Sequence, residues 1–164
     1  MQSYLEEDRH SVDYNWLIQS KSPYLKLLQT NPVNWMEWSE EAFEKARREG
    51  KGVFLSVGYS DCQRCNEMDR ESFEDEEVAV LLNKSFVSIK LDREEHPDID
   101  SIYWTKSKAI TGQSGYPLSI FLTPEKVPYY FWYYTPKSGE AGKADFKEII
   151  KKANSLYREN SNNI

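Results

Sequence analysis

The segment GVFLSVGYSDCQRC, residues 52–65, decides the fold of this chain. Its first part, Val53 to Val57, is a nearly continuous apolar run, which is typical of a strand buried on both faces. Cys62 and Cys65 follow this run after a short polar stretch. We therefore predict that the two cysteines lie where the first strand ends and a helix begins, at the top of a strand–helix–strand crossover.

Alternating and helical patterns continue through the rest of the chain. Phe86 to Leu91 alternates like a second strand, and the aromatic run Tyr129 to Tyr134 follows a turn at Pro124. The other predicted elements are helices over 39–48, 75–84, from Pro97 onward and about 143–157, and a strand over 118–122. This order predicts an α/β protein with the thioredoxin fold, in which helices cover both faces of a central mixed sheet.

The predicted domain limits follow from these elements. Residues 1–38 form a Trp-rich N-terminal extension that packs on the domain, residues 39–158 form the thioredoxin-like domain, and residues 159–164 form a disordered tail. The strand 129–134 carries three aromatic side chains on each face. We expect one trio in the core and the other trio covered by the N-terminal extension.

Composition limits the classes of partner. The 164 residues carry a formal net charge of −6, which disfavours nucleic acid because phosphate binding needs a basic face. No apolar run approaches membrane-spanning length, so no membrane partner is expected. Met1 to His10 has no apolar leader, and we expect the chain in the cytoplasm.

The two cysteines are the only ones in the sequence. A zinc site needs four ligands, and the only additional nitrogen donors are His10 and His96. Two thiols at this spacing are therefore interpreted as a redox pair, with no metal and no cofactor. A thiol at a helix N-terminus has a lowered pKa, and Arg64 adds a positive charge beside it. Cys62 is the candidate nucleophile and Cys65 the resolving thiol, acting on a protein or small-molecule disulfide.

Several segments resemble one family of thioredoxin-like proteins, labelled spermatogenesis-associated or uncharacterised. They run from Asn15 to Pro136, about three quarters of the chain, and include KSPYL (21–25), NPVNW (31–35), 53–60, ESFEDEEVA (71–79), DREEHPDID (92–100), TGQ (111–113), PL (117–118) and FLTP (121–124). The resemblance implies a thioredoxin-like N-terminal domain followed by a helical toroid like those of glycosidases and sugar epimerases. No toroid sequence is present here, so such a domain is an expected partner.

The fold also implies a substrate site. In thioredoxin folds a cis-proline precedes the third strand and faces the cysteines, and Pro117 stands at that position after the loop 112–116. Tyr116, Pro117, Tyr59 and Arg64 are therefore the candidate substrate-binding residues. Alternatively, Pro117 merely begins an edge strand.

The chain departs from the family at proton-handling positions. Gln63 and Asn66 stand where the family has histidines, and a family histidine pair before NPV is replaced by Gln29 and Thr30. Ordinary thioredoxins carry a buried carboxylate six residues before the first cysteine, where this chain has Ser56. Without that general base, deprotonation of Cys65 is expected to be slower. Asp61 and Asp69 lie closer to the cysteines in sequence than Ser56 does to Cys62.

Three functions stay open at this point. The first is a thiol–disulfide oxidoreductase. The second is a non-catalytic docking module that supports a carbohydrate-active partner domain, and the third is a purely structural disulfide. The polar loop Asp92-Arg93-Glu94-Glu95 follows a strand end, where α/β proteins often bind ligands, but it also fits a solvated loop that caps the next helix.

Overall fold

The computed structural model describes residues 9–134 and 140–162. After a 3₁₀ turn at Trp16–Gln19, the chain forms six α-helices and four strands within these residues. The helices are α1 (Pro23–Lys26), α2 (Glu40–Glu49), α3 (Gln63–Glu71), α4 (Glu76–Ser85), α5 (Pro97–Thr111) and α6 (Glu140–Asn162). The strands are β1 (Gly52–Gly58), β2 (Phe86–Asp92), β3 (Leu118–Leu122) and β4 (Pro128–Tyr133).

The four strands form one mixed sheet in the order β2-β1-β3-β4. β1 pairs parallel with β2, while β3 pairs antiparallel with both β1 and β4. The parallel pair requires a crossover connection, which α3 and α4 supply. This arrangement confirms the predicted α/β class and mixed sheet.

Each face of the sheet has its own core. Phe54 and Phe121 point to one face, where they pack with Trp35, Phe73 and Phe146. The opposite face is built from aliphatic side chains of β1, β2 and β3 packed on α2 and on Tyr103 of α5. Because β1 is buried at all seven positions, its sequence shows a continuous apolar run rather than an alternation.

Side-chain caps explain where the helices begin. Ser39 accepts a hydrogen bond from the backbone N–H of Ala42, and Asp75 accepts one from that of Val78. The prediction for the C-terminus is wrong over residues 159–162, because α6 continues to Asn162. That stretch contains neither Gly nor Pro, so each added residue gains a backbone hydrogen bond. Residues 163 and 164 lie outside the described part of the chain.

The N-terminal segment crosses the outer edge of β2. Met36 donates a backbone hydrogen bond to Ser88 and accepts one from Lys90, which forms a short parallel bridge. Before this bridge, the Asn15 side chain donates to the carbonyls of Leu28 and Asn31 and so brings together the two ends of the segment 15–31.

The aromatic strand β4 is covered differently from the prediction. One face packs on α6, where Trp132 stacks on Phe146 with ring centroids 4.9 Å apart. On the other face, Tyr133 donates a hydrogen bond to the carbonyl of Gln113, 2.7 Å away, and contacts Ser107 of α5. The N-terminal segment instead bridges β2 through Met36, at the opposite edge of the sheet from β4.

None of the helices within 9–134 and 140–162 is both long and apolar enough to span a bilayer.

Trp35 gives a direct test of how strongly the N-terminal segment contributes to stability. Its ring is fully buried and meets Phe73 edge-on, with centroids 4.9 Å apart. We expect Trp35→Ala to lower the free energy of unfolding by about 3 to 5 kcal/mol, because the cavity is surrounded by rigid aromatic rings. Urea unfolding followed by circular dichroism measures this change.

Leu27→Ala is the matched control from the same segment, because Leu27 is 77% exposed. It should change the free energy of unfolding by less than about 0.5 kcal/mol. A loss below about 1 kcal/mol for Trp35→Ala would show that this segment does not stabilise the domain.

Candidate functional site

The candidate site lies at the end of the sheet where β1 and β2 finish and β3 begins. Gly58 at the end of β1 pairs with Asp92 at the end of β2. On the other side of β1, Val57 pairs with Leu118, so Pro117 is level with Gly58. The sheet therefore brings the dithiol loop, the loop at Asp92 and the loop before β3 to one place.

Cys62 and Cys65 form a disulfide, with their Cα atoms 5.2 Å apart. Cys62 is the N-cap of α3, and its Sγ accepts a hydrogen bond from the backbone N–H of Cys65 at 3.1 Å. The sulfur thus occupies the place where an Asp or Ser oxygen usually caps a helix. Cys62 is 6% exposed, whereas Cys65 is fully buried. Only Cys62 therefore offers surface to a substrate.

The loop that precedes the helix is held by its own hydrogen bonds. Cys62 donates its backbone N–H to the carbonyl of Tyr59, and the Asn66 side chain donates to the carbonyl of Ser60. Asn66 stands where a family histidine was expected, and its observed contact is structural. These bonds fix the position of the Cys62 sulfur relative to β1.

Three of the predicted substrate-binding residues line one cavity. Arg64, Tyr116 and Pro117 border an open cavity of about 400 Å³, whose far side is formed by Lys108 and Tyr133. The Tyr116–Pro117 peptide bond is cis. The fourth predicted residue, Tyr59, lies beside this cavity, with its ring 5.5 Å from that of Tyr116 and edge-on to it.

Arg93 joins the two tyrosines. Its guanidinium carbon lies 4.7 Å from the ring centroid of Tyr59 and 4.8 Å from that of Tyr116, within the range of a cation–π contact. The Tyr116 hydroxyl donates to Asp100 at 2.6 Å. Burial, followed by that hydrogen bond, raises the pKa of Tyr116 well above its usual value, so the phenol keeps its proton at neutral pH.

The loop at Asp92 is shown to be a structural cap. The buried carboxylate of Asp92 accepts hydrogen bonds from the Ser22 hydroxyl at 2.7 Å and from the backbone N–H of Glu94 at 2.9 Å. Its oxygens thus tie α1 and the following turn to the end of β2. The next residue of this loop, Arg93, contacts the rings of Tyr59 and Tyr116.

A charged pair is buried next to Cys65. Lys90 has no exposed surface, and its Nζ donates to Asp69 at 2.8 Å and to Ser56 at 3.0 Å. Asp69 also accepts a hydrogen bond from the Tyr24 hydroxyl at 3.3 Å. Ser56, which stands where ordinary thioredoxins have a carboxylate, therefore has a structural role: its hydroxyl accepts a hydrogen bond from the buried ammonium of Lys90. Asp61, the other candidate carboxylate, is exposed.

Sequence reasoning missed Arg93, Tyr24 and Lys90 as parts of the site. The alternation over 86–91 places Lys90 with Ser88 on the more polar face of the strand, so no local pattern indicated that its side chain is buried. No local pattern pairs Tyr24 with Asp69, which lies 45 residues away. Over the described ranges there is also no group of three or more His, Cys, Asp or Glu side chains arranged to hold a metal ion.

The mixed sheet, the helices on both faces and the Cys-x-x-Cys pair at the start of α3 define a thioredoxin-fold protein. Solved structures share this fold. A DsbH oxidoreductase superposes with a TM-score of 0.52 at 20% identity, covering 82% of this chain and 92% of the other. A thioredoxin from Thermus thermophilus superposes with a TM-score of 0.56 at 20% identity, covering 74% and 86%.

The chain belongs to the Thioredox_DsbH family, described as "Protein of unknown function, DUF255", whose model matches residues 14–164. Human spermatogenesis-associated protein 20 is 42% identical over 150 residues, and an uncharacterized protein of Caenorhabditis elegans is 46% identical over 136 residues. The matches cover 92% and 83% of this chain. The chain spans only 19% of the length of each relative, which confirms the expected match to one domain of larger proteins.

Removal of Lys90 tests the buried pair. We expect Lys90→Met to lower the free energy of unfolding by about 3 to 5 kcal/mol, because the Asp69 carboxylate would stay buried without its cation. Lys151→Met is the control, since Lys151 is 59% exposed and lies 3.8 Å from Glu148. It should change stability by less than about 0.5 kcal/mol. Equal effects of the two substitutions, measured by urea unfolding, would contradict the assigned role of Lys90.

Proposed function

We propose that this domain catalyses thiol–disulfide exchange, with Cys62 as the nucleophile and Cys65 as the resolving thiol. The observation that carries the proposal is the hydrogen bond from the Cys65 backbone N–H to the Cys62 sulfur at the N-terminus of α3. Backbone N–H donors and the positive end of a helix favour a thiolate over a thiol. No acidic residue lies in the first turn of α3 to oppose this effect.

The exchange takes place in two balanced steps. In the reduced domain the Cys62 thiolate attacks one sulfur of a substrate disulfide, a mixed disulfide forms, and the other substrate sulfur leaves as a thiolate. Cys65 then loses its proton and attacks the Cys62 sulfur, so that the Cys62–Cys65 bond forms and the second substrate thiolate leaves. The domain is oxidised by two electrons and the substrate disulfide is reduced.

The proposed substrate surface consists of Tyr59, Arg64, Tyr116 and Pro117, together with Arg93. The cavity beside Pro117 is open and has a volume of about 400 Å³. The stacked Arg93 holds Tyr59 and Tyr116 as a rigid aromatic wall. With only two cysteines in the sequence, both in this pair, the proposed setting is a reducing compartment such as the cytoplasm.

Two single-cysteine variants test the chemistry. Cys62→Ser should abolish the acceleration that the domain gives to the reduction of insulin disulfides by dithiothreitol, because no nucleophile is left at the surface. Cys65→Ser should accumulate a stable mixed disulfide with substrate, visible by mass spectrometry, because the resolving thiol is missing. In this second variant the alkylation rate of Cys62 should have a pH midpoint below the value of about 8.5 that is usual for a free thiol.

The opposite pattern would contradict the proposal. If Cys62 is alkylated no faster than free cysteine at neutral pH, and the unmodified chain reduces no disulfide, the pair is not catalytic. The reduction potential of the pair provides a second measurement. A disulfide that resists reduction at cytosolic potentials would instead identify a structural bond.

Tyr59→Ala tests the substrate surface separately from the chemistry. We expect KM for a protein disulfide to rise about fivefold, which corresponds to the loss of about 1 kcal/mol of contact energy. The alkylation rate of Cys62 should stay unchanged, since Tyr59 contributes only its backbone carbonyl to the cysteine loop. Tyr14→Ala is the control, because Tyr14 is an exposed aromatic residue outside the site. An unchanged KM for Tyr59→Ala would exclude Tyr59 from the substrate surface.

A further inference from the structure

The resolving thiol has a chemical difficulty that the fold must solve. Cys65 is fully buried, and it can attack the mixed disulfide only after losing its proton. Burial in apolar surroundings opposes formation of the thiolate. Solvent hydroxide has no direct route to this sulfur. A group inside the protein that accepts the proton would remove this difficulty.

The Tyr24 hydroxyl and the Cys65 sulfur both lie close to Gly58. The point that a Cβ atom on Gly58 would occupy is 2.6 Å from the Tyr24 hydroxyl oxygen and 2.9 Å from Cys65 Sγ. Both atoms are within 3 Å of that one point, so a glycine at position 58 is what allows the Tyr24 hydroxyl and the Cys65 sulfur to lie close to the same place. On its far side, the Tyr24 hydroxyl donates to Asp69 at 3.3 Å.

Asp69 is placed by α3 and by Lys90. It lies four residues after Cys65 in the helix, so the two side chains share one face. One carboxylate oxygen is bound by Lys90 and the other by Tyr24. Lys90 is held in turn by Ser56, its register partner on β1, and lies 4.7 Å from the ring centroid of Phe73.

We propose that Tyr24 and Asp69 form a proton relay that accepts the proton of Cys65 during the resolving step. This inference rests on the proposed function and adds residues to the same site. As Cys65 attacks Cys62 Sγ, its proton passes to the Tyr24 oxygen, while the Tyr24 hydroxyl proton passes to Asp69. The Cys62–substrate bond breaks and the substrate thiolate leaves. Asp69 keeps this proton until the Cys62–Cys65 disulfide is reduced again, when the proton returns through Tyr24 to the Cys65 thiolate, so the relay itself needs no co-reactant.

The surrounding charges suit this relay. Burial and the nearby Asp69 raise the pKa of Tyr24 far above its usual value, so its hydroxyl is protonated and can pass a proton on. The titratable groups that face the relay are Asp69 on α3, Lys90 and Asp92 on β2, and Tyr24 itself on α1. The ammonium of Lys90 stays in place and balances the carboxylate whenever it is unprotonated.

The test separates the two thiol steps in time. The reduced 164-residue chain is mixed with an aromatic disulfide whose thiol is coloured, such as 5,5′-dithiobis(2-nitrobenzoic acid). The first equivalent of colour reports attack by Cys62, and the second, concentration-independent phase reports resolution by Cys65. Tyr24→Phe removes only the hydroxyl and keeps the Asp69–Lys90 pair. Tyr103→Phe is the matched control, because Tyr103 is also buried and its hydroxyl binds the carbonyl of Lys126 instead.

We expect Tyr24→Phe to slow the second phase by about 100-fold at neutral pH and to leave the first phase unchanged. Its second-phase rate should rise about tenfold per pH unit, since solvent hydroxide must then remove the proton, whereas the rise in the unmodified chain is shallower. Tyr103→Phe should change neither phase. Asp69→Asn should slow the second phase as Tyr24→Phe does, and Asp69→Glu should recover part of the rate.

Three results would overturn the inference. They are an unchanged second phase in Tyr24→Phe at every pH, an equal slowing of both phases, and a second phase that Tyr103→Phe slows to the same extent. If Tyr24→Phe fails to fold, the solvent deuterium isotope effect of the unmodified chain decides, because a relay predicts a larger effect on the second phase than on the first. A failure of the first phase itself, with Cys62 no faster than free cysteine, would instead refute the proposed function.

Discussion

The parallel pairing of β1 with β2 is the constraint on which the rest of the structure depends. All seven positions of each strand are buried, so a shift of one residue would move every side chain into the core on the opposite face and disrupt the packing of both cores. The register Ser56 to Lys90 and Gly58 to Asp92 follows from this pairing. The end of β1 is thereby fixed, and so is the helix N-terminus that carries Cys62.

Burial of both strands also imposes a condition on Lys90. An ammonium group without exposed surface must be paired and hydrogen-bonded, since an uncompensated buried charge is strongly destabilising. The ring centroids of Tyr24, Trp35 and Phe73 lie within 6 Å of its Nζ atom, and one carboxylate neutralises it. The carboxylate comes from the same helix that presents the cysteines. The charge balance of the core and the chemistry of the site therefore share Asp69.

Local patterns were sufficient to predict the strands, the helices that begin near Ser39 and Asp75, and the placement of the two cysteines. Each of these depends on residues close together in the sequence. The partners of Tyr24, Lys90 and Arg93 depend instead on packing between distant segments. A single aspartate at position 69 looks like an ordinary exposed helix residue until Lys90 is known to be buried. The cover of β4 was misjudged for the same reason, because the strand order decides which edge the N-terminal segment can reach.

The bridge at Met36 has a consequence for how the molecule behaves in solution. An outer strand normally presents unpaired N–H and C=O groups that can recruit a strand from a neighbouring molecule. Met36 occupies the groups of Ser88 and Lys90 along the middle of β2. The N-terminal segment thus prevents a strand of another molecule from pairing with this part of β2. The backbone N–H of Lys90 donates to Met36, while the side chain of the same residue donates to Asp69 beside the cysteines. The residue that closes the edge of the sheet therefore also holds Asp69 in place.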